Sequence, residues 1–485
     1  MRSLLALGLS LVLFSSAVQG QADRYELGRR LKAFESQWEK VTAADRARAL
    51  QILPAATRQF LTLQNAAAAR TLDEATWALT SAAAPDPAQR WLASLAVVPE
   101  RRIMDAKQRT LTVKLRQVYA VPEPSELAGS LTWRLDAGKN PDEQRSGTAR
   151  FAKLPSLITL NFTDARPLPE GDHRLTMVLR LGDATTTITA TISVIRDLEL
   201  RWKRLQAAEV GESATLETAT LASHRERLTT LLSGEVPESD TPAARLFSEA
   251  EAVASSPDKR FFSASRDGDF WLTVPTAMGN KRTPCRLFVP SGLDLQKAVP
   301  IVVALHGVGG SENLFFEGYG AGCVIAEAKK RGWFVLAPRG GLGFFGGPPP
   351  IREILDRLAE RYPIDRQKVF LVGHSMGAAL VVELVQKEQG YFAAVAALGG
   401  GGRVRSVQSF RQVPTFIGVG SADFARSAAI KLHRELASTP DVSVKFREYP
   451  QIEHIVIVRA AVADVFSHYE SQVSRKLSLH CSESK

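Results

Sequence analysis

The stretch Val369-Phe370-Leu371-Val372-Gly373-His374-Ser375-Met376-Gly377 decides the fold of the C-terminal half of the chain. Its leading apolar residues predict a strand, and the Ala-rich stretch from Ala378 to Gln386 predicts a helix, so a sharp turn lies between them. A serine at the tip of such a turn has a strained backbone, and side chains at Gly373 and Gly377 would clash there. The helix N-terminus also favours developing negative charge beside the serine. We therefore predict that Ser375 is an acyl-transfer nucleophile.

The segments around this turn predict a mostly parallel sheet that is covered by helices on both faces. Continuous apolar strands that alternate with helices are typical of such a sheet, because both faces of each strand are buried. We expect an antiparallel hairpin before it, with strands Asp269–Val274 and Cys285–Val289 around a turn at Gly279-Asn280. This α/β domain is predicted to span residues 259–475, with a tail at 476–485. Its predicted strands are Val299–Leu305, Trp333–Ala337, Val369–Val372, Ala393–Leu398, Thr415–Val419 and the more alternating Val444–Tyr449.

A serine nucleophile needs an orienting acid, which follows the serine along the chain in a sheet of this kind. Asp423 is the predicted acid, because it lies in the loop Gly420-Ser421-Ala422-Asp423 directly after a predicted strand. Catalytic groups collect at that end of the strands in α/β sheets. Asp441, which precedes a strand, and Glu448, which lies within one, are weaker candidates.

The base should be a histidine that follows the acid. We predict His454, because it follows the last strand in a loop that can return the imidazole to the serine. His433 lies in the middle of a predicted helix, and His468 and His480 lie in or beyond the terminal helix. His374 is beside the serine, but its position in the turn points elsewhere.

An oxyanion hole needs two backbone N–H groups. The first should be that of Met376, directly after the serine. The second should come from the loop His306-Gly307-Val308-Gly309-Gly310-Ser311, where glycines let the backbone approach a substrate closely. Val308 is the predicted donor, with Gly307 and Gly309 as alternatives, and His306 is expected to shape the loop.

The N-terminus predicts export. Arg2, the apolar run Leu4–Phe14 and the small residues that end at Gly20 are typical of a secretory signal peptide, which we place at residues 1–20. The mature protein is then expected to be secreted or periplasmic. No cysteine lies near the predicted cut, which argues against a lipid anchor. No other stretch is apolar for long enough to span a membrane.

Three regions are predicted between the signal peptide and the α/β domain. Thr110–Leu115 and Leu131–Leu135 alternate apolar and polar residues, as half-buried strands do. Several such strands at even spacing indicate a small, immunoglobulin-like β-sandwich, for which packing is favoured over sugar binding. A short helix through Trp91 and Leu95 should precede it. The regions are helical at 21–98, a β-sandwich at 99–196 and helical or linker at 197–258.

The charge distribution and the cysteine spacing restrict the kinds of partner and metal that the chain is expected to bind. The chain of 485 residues has a net charge of +10, and this charge is spread along it without an aromatic-basic motif, so we expect no nucleic-acid partner. Cys285, Cys323 and Cys481 fit no zinc spacing. One disulfide and one free thiol, or small buried thiols, both remain open. The sequence does not indicate an oligomeric state.

The region from about residue 265 to residue 470 resembles the α/β-hydrolase superfamily. Within it, the sequence is similar to the secreted esterase branch of feruloyl esterases, acetylxylan esterases and polyhydroxybutyrate-depolymerase-like enzymes. This resemblance implies a Ser-His-Asp mechanism through an acyl-enzyme, with no metal and no cofactor. The implied substrate is a small-molecule or polysaccharide-linked ester with a short acyl, acetyl or feruloyl group. The matching segments are His306-Gly307-Val308-Gly309-Gly310, Tyr362-Pro363-Ile364-Asp365, Val369–Gly377 and Tyr391–Val395, with Asp423 and His454.

The sequence departs from this branch at two places. Ala378 stands where a third glycine is frequent, which matters little for the chemistry. Gly340–Gly347, followed by three prolines, replaces the usual segment and predicts a long apolar loop that shapes specificity. Two other functions stay open: a serine peptidase of the prolyl-oligopeptidase type, and a non-catalytic envelope- or sugar-binding protein with a relic hydrolase domain. The absence of propeller blade repeats counts against the first, and the complete set of candidate catalytic residues counts against the second.

Overall fold

The structure is a computed structural model that describes most of the chain. The predicted signal peptide, the Gly279-Asn280 turn and positions 341–346 of the predicted specificity loop lie outside the described residues. So do the side chains of His480 and Cys481. The described residues are 24–124, 128–137, 144–162, 166–208, 215–255, 260–276, 281–340 and 347–482.

Helices lie before, between and after two groups of strands. The helices are α1 (24–38), α2 (Ala43–Leu50), α3 (Leu53–Leu61), α4 (Asn65–Thr80), α5 (Pro87–Ala93), α6 (Leu198–Ala207), α7 (Leu216–Leu232), α8 (Ala243–Ser255), α9 (Leu314–Glu317), α10 (Tyr319–Arg331), α11 (Ile351–Ala359), α12 (Met376–Lys387), α13 (Arg426–Ala437) and α14 (Ile457–Ser482). The strands are β1 (Leu95–Pro99), β2 (Ile103–Asp105), β3 (Thr110–Gln117), β4 (Gly129–Asp136), β5 (Arg145–Phe151), β6 (Ser156–Asn161), β7 (Gly171–Leu181), β8 (Ala184–Ile195), β9 (Gly268–Thr276), β10 (Lys281–Val289), β11 (Val299–Leu305), β12 (Phe334–Pro338), β13 (Ile364–His374), β14 (Ala394–Leu398), β15 (Thr415–Gly420) and β16 (Val444–Tyr449).

The chain is a multidomain α/β protein that divides into two compact units. Each unit is assembled from segments that are separated in sequence. The first is Met1–Phe34, Thr62–Glu212 and Leu221–Lys259, and the second is Glu35–Leu61, Ser213–Thr220 and Arg260–Lys485.

The first unit is built on two β-sheets. One has the strand order β1-β3-β6 and the other β2-β8-β7-β4-β5. Leu175, Met177 and Leu179 are every second residue of β7 and are buried, because successive side chains of a strand point to opposite faces. They share one hydrophobic core with Val113 of β3 in the other sheet. Leu95, expected within a helix, instead begins β1, which pairs with β3.

The second unit is built on one sheet of eight strands in the order β16-β15-β14-β13-β11-β12-β10-β9. The strands from β16 to β12 are parallel, and the hairpin β9–β10 adds to the β12 edge in antiparallel fashion. The central residues of β11, β14 and β15 are buried apolar side chains, as a parallel sheet covered on both faces requires, whereas the edge strand β16 carries exposed Lys445 and Arg447. The carboxyl ends of β11, β13, β15 and β16 therefore meet at one edge of the sheet. In the described part of the chain, helices long and apolar enough to cross a membrane are not found.

Candidate active site

Ser375 lies at the end of β13 and directly before α12. Its φ is 58° and its ψ is −116°, a region that side-chain-bearing residues rarely adopt, so the backbone is strained here. A Cβ atom on Gly373 would lie 2.1 Å from the Gly377 carbonyl oxygen, and one on Gly377 would lie 2.0 Å from the Leu305 carbonyl oxygen. The turn is further held by the Ser375 N–H, which donates to the Leu398 carbonyl of β14 at 2.9 Å. Glycine is therefore sterically required on both sides of the serine.

The structure brings Ser375, His454 and Asp423 together. The distance from His454 Nε2 to Ser375 Oγ is 3.0 Å, and that from His454 Nδ1 to Asp423 Oδ1 is 2.9 Å. Asp423 and His454 are both buried. With its proton on Nδ1, His454 donates to the carboxylate and can accept the serine proton at Nε2. This is the hydrogen-bond order that nucleophilic catalysis by serine uses.

Two loops position these partners. Asp423 follows β15, and its Oδ1 also accepts a 2.7 Å hydrogen bond from the Ala425 N–H. His454 begins a short 3-10 turn after β16, and Glu453 caps this turn by accepting a 2.8 Å hydrogen bond from the Ile455 N–H. These hydrogen bonds fix the backbone of the two loops that carry Asp423 and His454.

The glycine loop after β11 lies beside the serine. A Cβ atom on Gly307 would lie 3.3 Å from Ser375 Cβ, a tight contact that glycine avoids. The Gly310 N–H donates to the Gly307 carbonyl at 3.1 Å and closes a turn around Val308. Among the described residues, the N–H groups of Val308 and Met376 have no hydrogen-bond partner. Two backbone donors of that kind are what a developing oxyanion needs.

His374 and His306 are both buried and make specific hydrogen bonds. His374 Nδ1 lies 2.6 Å from the Tyr319 hydroxyl, and its Nε2 lies 3.0 Å from the His454 carbonyl oxygen. Burial, together with the nearby His454, lowers the pKa of His374 well below its usual value. His306 Nδ1 lies 2.8 Å from the Gly307 carbonyl, and its Nε2 accepts from the Gly340 N–H at 3.0 Å. Sequence reasoning missed Tyr319, because no motif marks it and its hydroxyl reaches the site only through the fold.

Phe424 is a second neighbour of the site that the sequence did not single out. Its side chain is 55% exposed, and its ring centroid lies 4.4 Å from that of His454. Its position directly after Asp423 is the signal in the sequence that could have found it. It places an apolar surface beside the imidazole.

The weaker sequence candidates lie elsewhere and have other partners. Asp441 faces Arg411 at 3.6 Å, and Glu448 pairs with Arg426 at 2.9 Å. The alternative histidines are also occupied: His433 stacks on Phe446, and His468 Nε2 lies 3.3 Å from the Pro414 carbonyl.

The described thiols are buried and free. Cys285 and Cys323 do not form a disulfide, and burial raises the pKa of both. Such thiols are poor nucleophiles and pack as small apolar side chains.

Comparison with known proteins gives distant similarities. No family model matches the chain. A ferulic acid esterase is 16% identical, with 43% of this chain and 100% of that chain aligned and a TM-score of 0.37. The feruloyl esterase module from Clostridium thermocellum, complexed with sinapinate, is 17% identical over 44% of this chain and 92% of its own, with a TM-score of 0.37. A thermostable esterase is 14% identical over 77% of this chain and 99% of its own, with a TM-score of 0.36.

Proposed function

We propose that this protein is a serine carboxylic-ester hydrolase that works through an acyl-enzyme. One observation carries the proposal: Asp423, His454 and Ser375 are joined by hydrogen bonds of 2.9 and 3.0 Å, with the serine at a strained turn. The neighbouring donors Met376 and Val308 add support, because they complete the set of groups that acyl transfer needs.

In the proposed mechanism, Ser375 Oγ attacks the ester carbonyl carbon while its proton passes to His454 Nε2. The carbonyl π electrons move onto oxygen, and the N–H groups of Met376 and Val308 stabilise the resulting oxyanion. Asp423 holds the imidazole in orientation and stabilises its charged form. The tetrahedral intermediate collapses and the alcohol leaves with the proton from His454. Water then attacks the acyl-enzyme by the same steps, which releases the acid and restores Ser375.

The substrate is proposed to be a small-molecule or polysaccharide-linked ester with an acetyl, feruloyl or other short acyl group. The exposed Phe424 ring supports an apolar or aromatic group beside His454, since an apolar surface favours contact with such a group. The predicted signal peptide, residues 1–20, supports secretion or a periplasmic location. A polymer-linked ester would be met in such a compartment.

Replacement of Ser375 by alanine tests the proposal. The variant should lose about 10⁴- to 10⁶-fold of kcat on p-nitrophenyl acetate, because the nucleophile is removed and the remaining groups give only residual catalysis. Ser467→Ala is the matched control. Its hydroxyl is exposed and donates to the Ala463 carbonyl of α14, so activity should stay within about twofold of wild type.

Two further measurements separate the alternatives. A fluorophosphonate probe should label the wild type and not Ser375→Ala, as shown by mass spectrometry of the labelled peptide. Full activity of pure Ser375→Ala would reject Ser375 as the nucleophile. An unlabelled wild type would favour the non-catalytic role. A panel of acetyl, feruloyl, longer acyl and peptide substrates should give ester cleavage, and preferential cleavage of a prolyl peptide would instead indicate a peptidase.

A further inference from the structure

A chain of hydrogen bonds runs behind the candidate triad and joins two of its loops. The Gly307 N–H donates to the Tyr319 hydroxyl at 3.2 Å, and that hydroxyl lies 2.6 Å from His374 Nδ1. On the other side of the imidazole, His374 Nε2 lies 3.0 Å from the His454 carbonyl oxygen. The chain therefore connects the glycine loop after β11 with the loop after β16.

The direction of each hydrogen bond in this chain is fixed by chemistry. The His454 carbonyl can only accept, so His374 must carry its proton on Nε2. Neutral His374 then accepts at Nδ1, and Tyr319 donates to it while accepting from the Gly307 N–H. The depressed pKa of His374, caused by burial and by His454, keeps the ring in this neutral form. Every donor and acceptor of the two side chains is thus matched.

Tyr319 is itself held in place by unusual backbone at the start of α10. Gly320, Ala321 and Gly322 have φ values of 61°, 52° and 81°, and the Ala321 N–H faces Glu35 Oε2 at 3.4 Å. The Tyr319 ring packs edge-on against that of His374 with centroids 4.6 Å apart. The left-handed conformation of Ala321 costs energy and is retained only where surrounding contacts determine it.

We infer that Tyr319 and His374 are positioning residues, which fix the position of the glycine loop after β11 relative to the loop after β16 that carries His454. The inference rests on the proposed ester hydrolysis and extends it. Gly307 directly precedes Val308, the proposed oxyanion donor. The carbonyl that accepts from His374 belongs to His454, the proposed base. A displacement of either loop changes distances that matter in the transition state more than in substrate binding. Neither side chain needs to touch the reacting atoms.

The main test is Tyr319→Phe, which removes the hydroxyl and keeps the ring. We expect kcat on p-nitrophenyl acetate to fall about 10- to 100-fold, the size of effect that small misplacements have, with KM within about threefold of wild type. Tyr469→Phe is the matched control. Tyr469 is fully buried in the same unit and donates to the Leu371 carbonyl at 2.8 Å, so the loss of its hydroxyl should lower stability and leave kcat within about twofold.

Variants of His374 test the two halves of the chain separately. His374→Asn keeps an acceptor for Tyr319 and loses the donor to His454, whereas His374→Gln keeps a donor near His454 and loses the acceptor. Each should lower kcat with little change in KM. Because the two residues act through one chain, Tyr319→Phe with His374→Asn should lose less than the product of the single losses. His374→Gln serves if His374→Asn does not fold, as judged by urea unfolding.

The outcomes distinguish this inference from the function on which it rests. Wild type that is labelled by fluorophosphonate and active, with folded Tyr319→Phe and His374 variants that keep kcat within about twofold, would overturn the positioning role alone. A double variant whose loss of kcat equals the product of the two single losses would also overturn it, since the two residues would then act independently. Wild type that is neither labelled nor active would remove the proposed function, and the inference with it.

Discussion

At the scale of single residues, Glu35 is a buried carboxyl that the structure holds out of its usual ionisation range. Burial raises its pKa to about 7, although the N–H groups of Gly320 and Ala321 act in the opposite direction. Nearby charges are the pair Arg459 and Glu39, of which the first lowers and the second raises this pKa. The folded protein therefore retains a proton that the unfolded chain releases above about pH 4.5.

This proton makes stability depend on pH, with a sign that can be worked out. Between about pH 4.5 and pH 7 the folded state binds more protons, so the free energy of unfolding falls as pH rises. A shift of this size corresponds to roughly 3 kcal/mol, lost fully above about pH 7. Glu35→Gln keeps an acceptor for Ala321 and removes the ionisation. It should be more stable than wild type at about pH 8, and the difference should shrink toward about pH 5.

Urea unfolding at several pH values measures this prediction. Glu360→Gln is the control, because Glu360 is exposed and its ion pair with Arg357 at 3.8 Å is a weak surface contact. It should change stability by less than about 0.5 kcal/mol at every pH. A Glu35→Gln variant that is less stable than wild type at about pH 8 would mean that the charged carboxylate is preferred in the fold.

At the scale of elements, helix α3 borders both loops of the candidate site. Thr57 of α3 donates to Glu453 Oε1 at 2.9 Å, and both side chains are buried. Near the end of α3, the Phe60 ring lies beside Gly309. A Cβ atom added to Gly309 would be 3.0 Å from this ring. A helix far away in sequence thus supports the backbone on which His454 and the glycine loop depend.

Thr57→Val should therefore destabilise the unit by about 1–3 kcal/mol, because an oxygen of a buried carboxyl loses its donor. Burial raises the pKa of Glu453, and the Thr57 bond opposes that rise by favouring the charged form. The loss should accordingly be larger at about pH 8 than at about pH 5. Thr57→Ser, which retains the hydroxyl, is the matched control and should recover most of the stability. If Thr57→Val, which keeps the methyl group, were as stable as wild type in urea unfolding while Thr57→Ser, which loses it, were destabilised, packing of the methyl group would matter and not the hydrogen bond.

The elements also show why part of the site is visible in the sequence. The elbow is local: Gly373 and Gly377 are required by close contacts around one strand-turn-helix segment, so their spacing marks Ser375. Asp423 and His454 follow strands in chain order, which places them at the same sheet edge. Tyr319 has no such mark, because its hydroxyl meets His374 only after the fold has brought the start of α10 to the end of β13.

At the scale of the whole molecule, the hydrophobic pattern of the sequence does not by itself assign a helix to a domain. The apolar stripe of a helix predicts that one face is buried, but it does not name the partner. The sequence therefore predicts one helical region at 21–98, whereas Glu35–Leu61 groups with the unit that carries the candidate site. Ser213–Thr220 does so as well. The predicted α/β domain at 259–475 contains neither segment.

This division predicts that the segment 259–482 on its own does not form a stable, active unit. It would lack the Thr57 donor to Glu453, and it would lack Glu217, which is buried and pairs with Arg361 at 3.2 Å. Thr220 Oγ1, which accepts from the N–H of Thr273 in β9 at 2.9 Å, would also be missing. Each loss leaves a buried or partly buried polar group without this partner, at about 1–3 kcal/mol apiece, which together approach the stability of a typical domain.

Urea unfolding and p-nitrophenyl acetate hydrolysis of the fragment and of the full chain test this. The fragment should show a weak, non-cooperative transition and little hydrolysis, while the full chain unfolds cooperatively. Full-length Thr57→Val is the reference for the loss of one of these contacts, and its free energy of unfolding should lie between those of the fragment and the full chain. A fragment with a cooperative transition and the kcat of the full chain would mean that the sheet and its own helices are sufficient. The segments Glu35–Leu61 and Ser213–Thr220 would then be additions to a complete domain, and the support that α3 gives to the loop of His454 would be dispensable for catalysis.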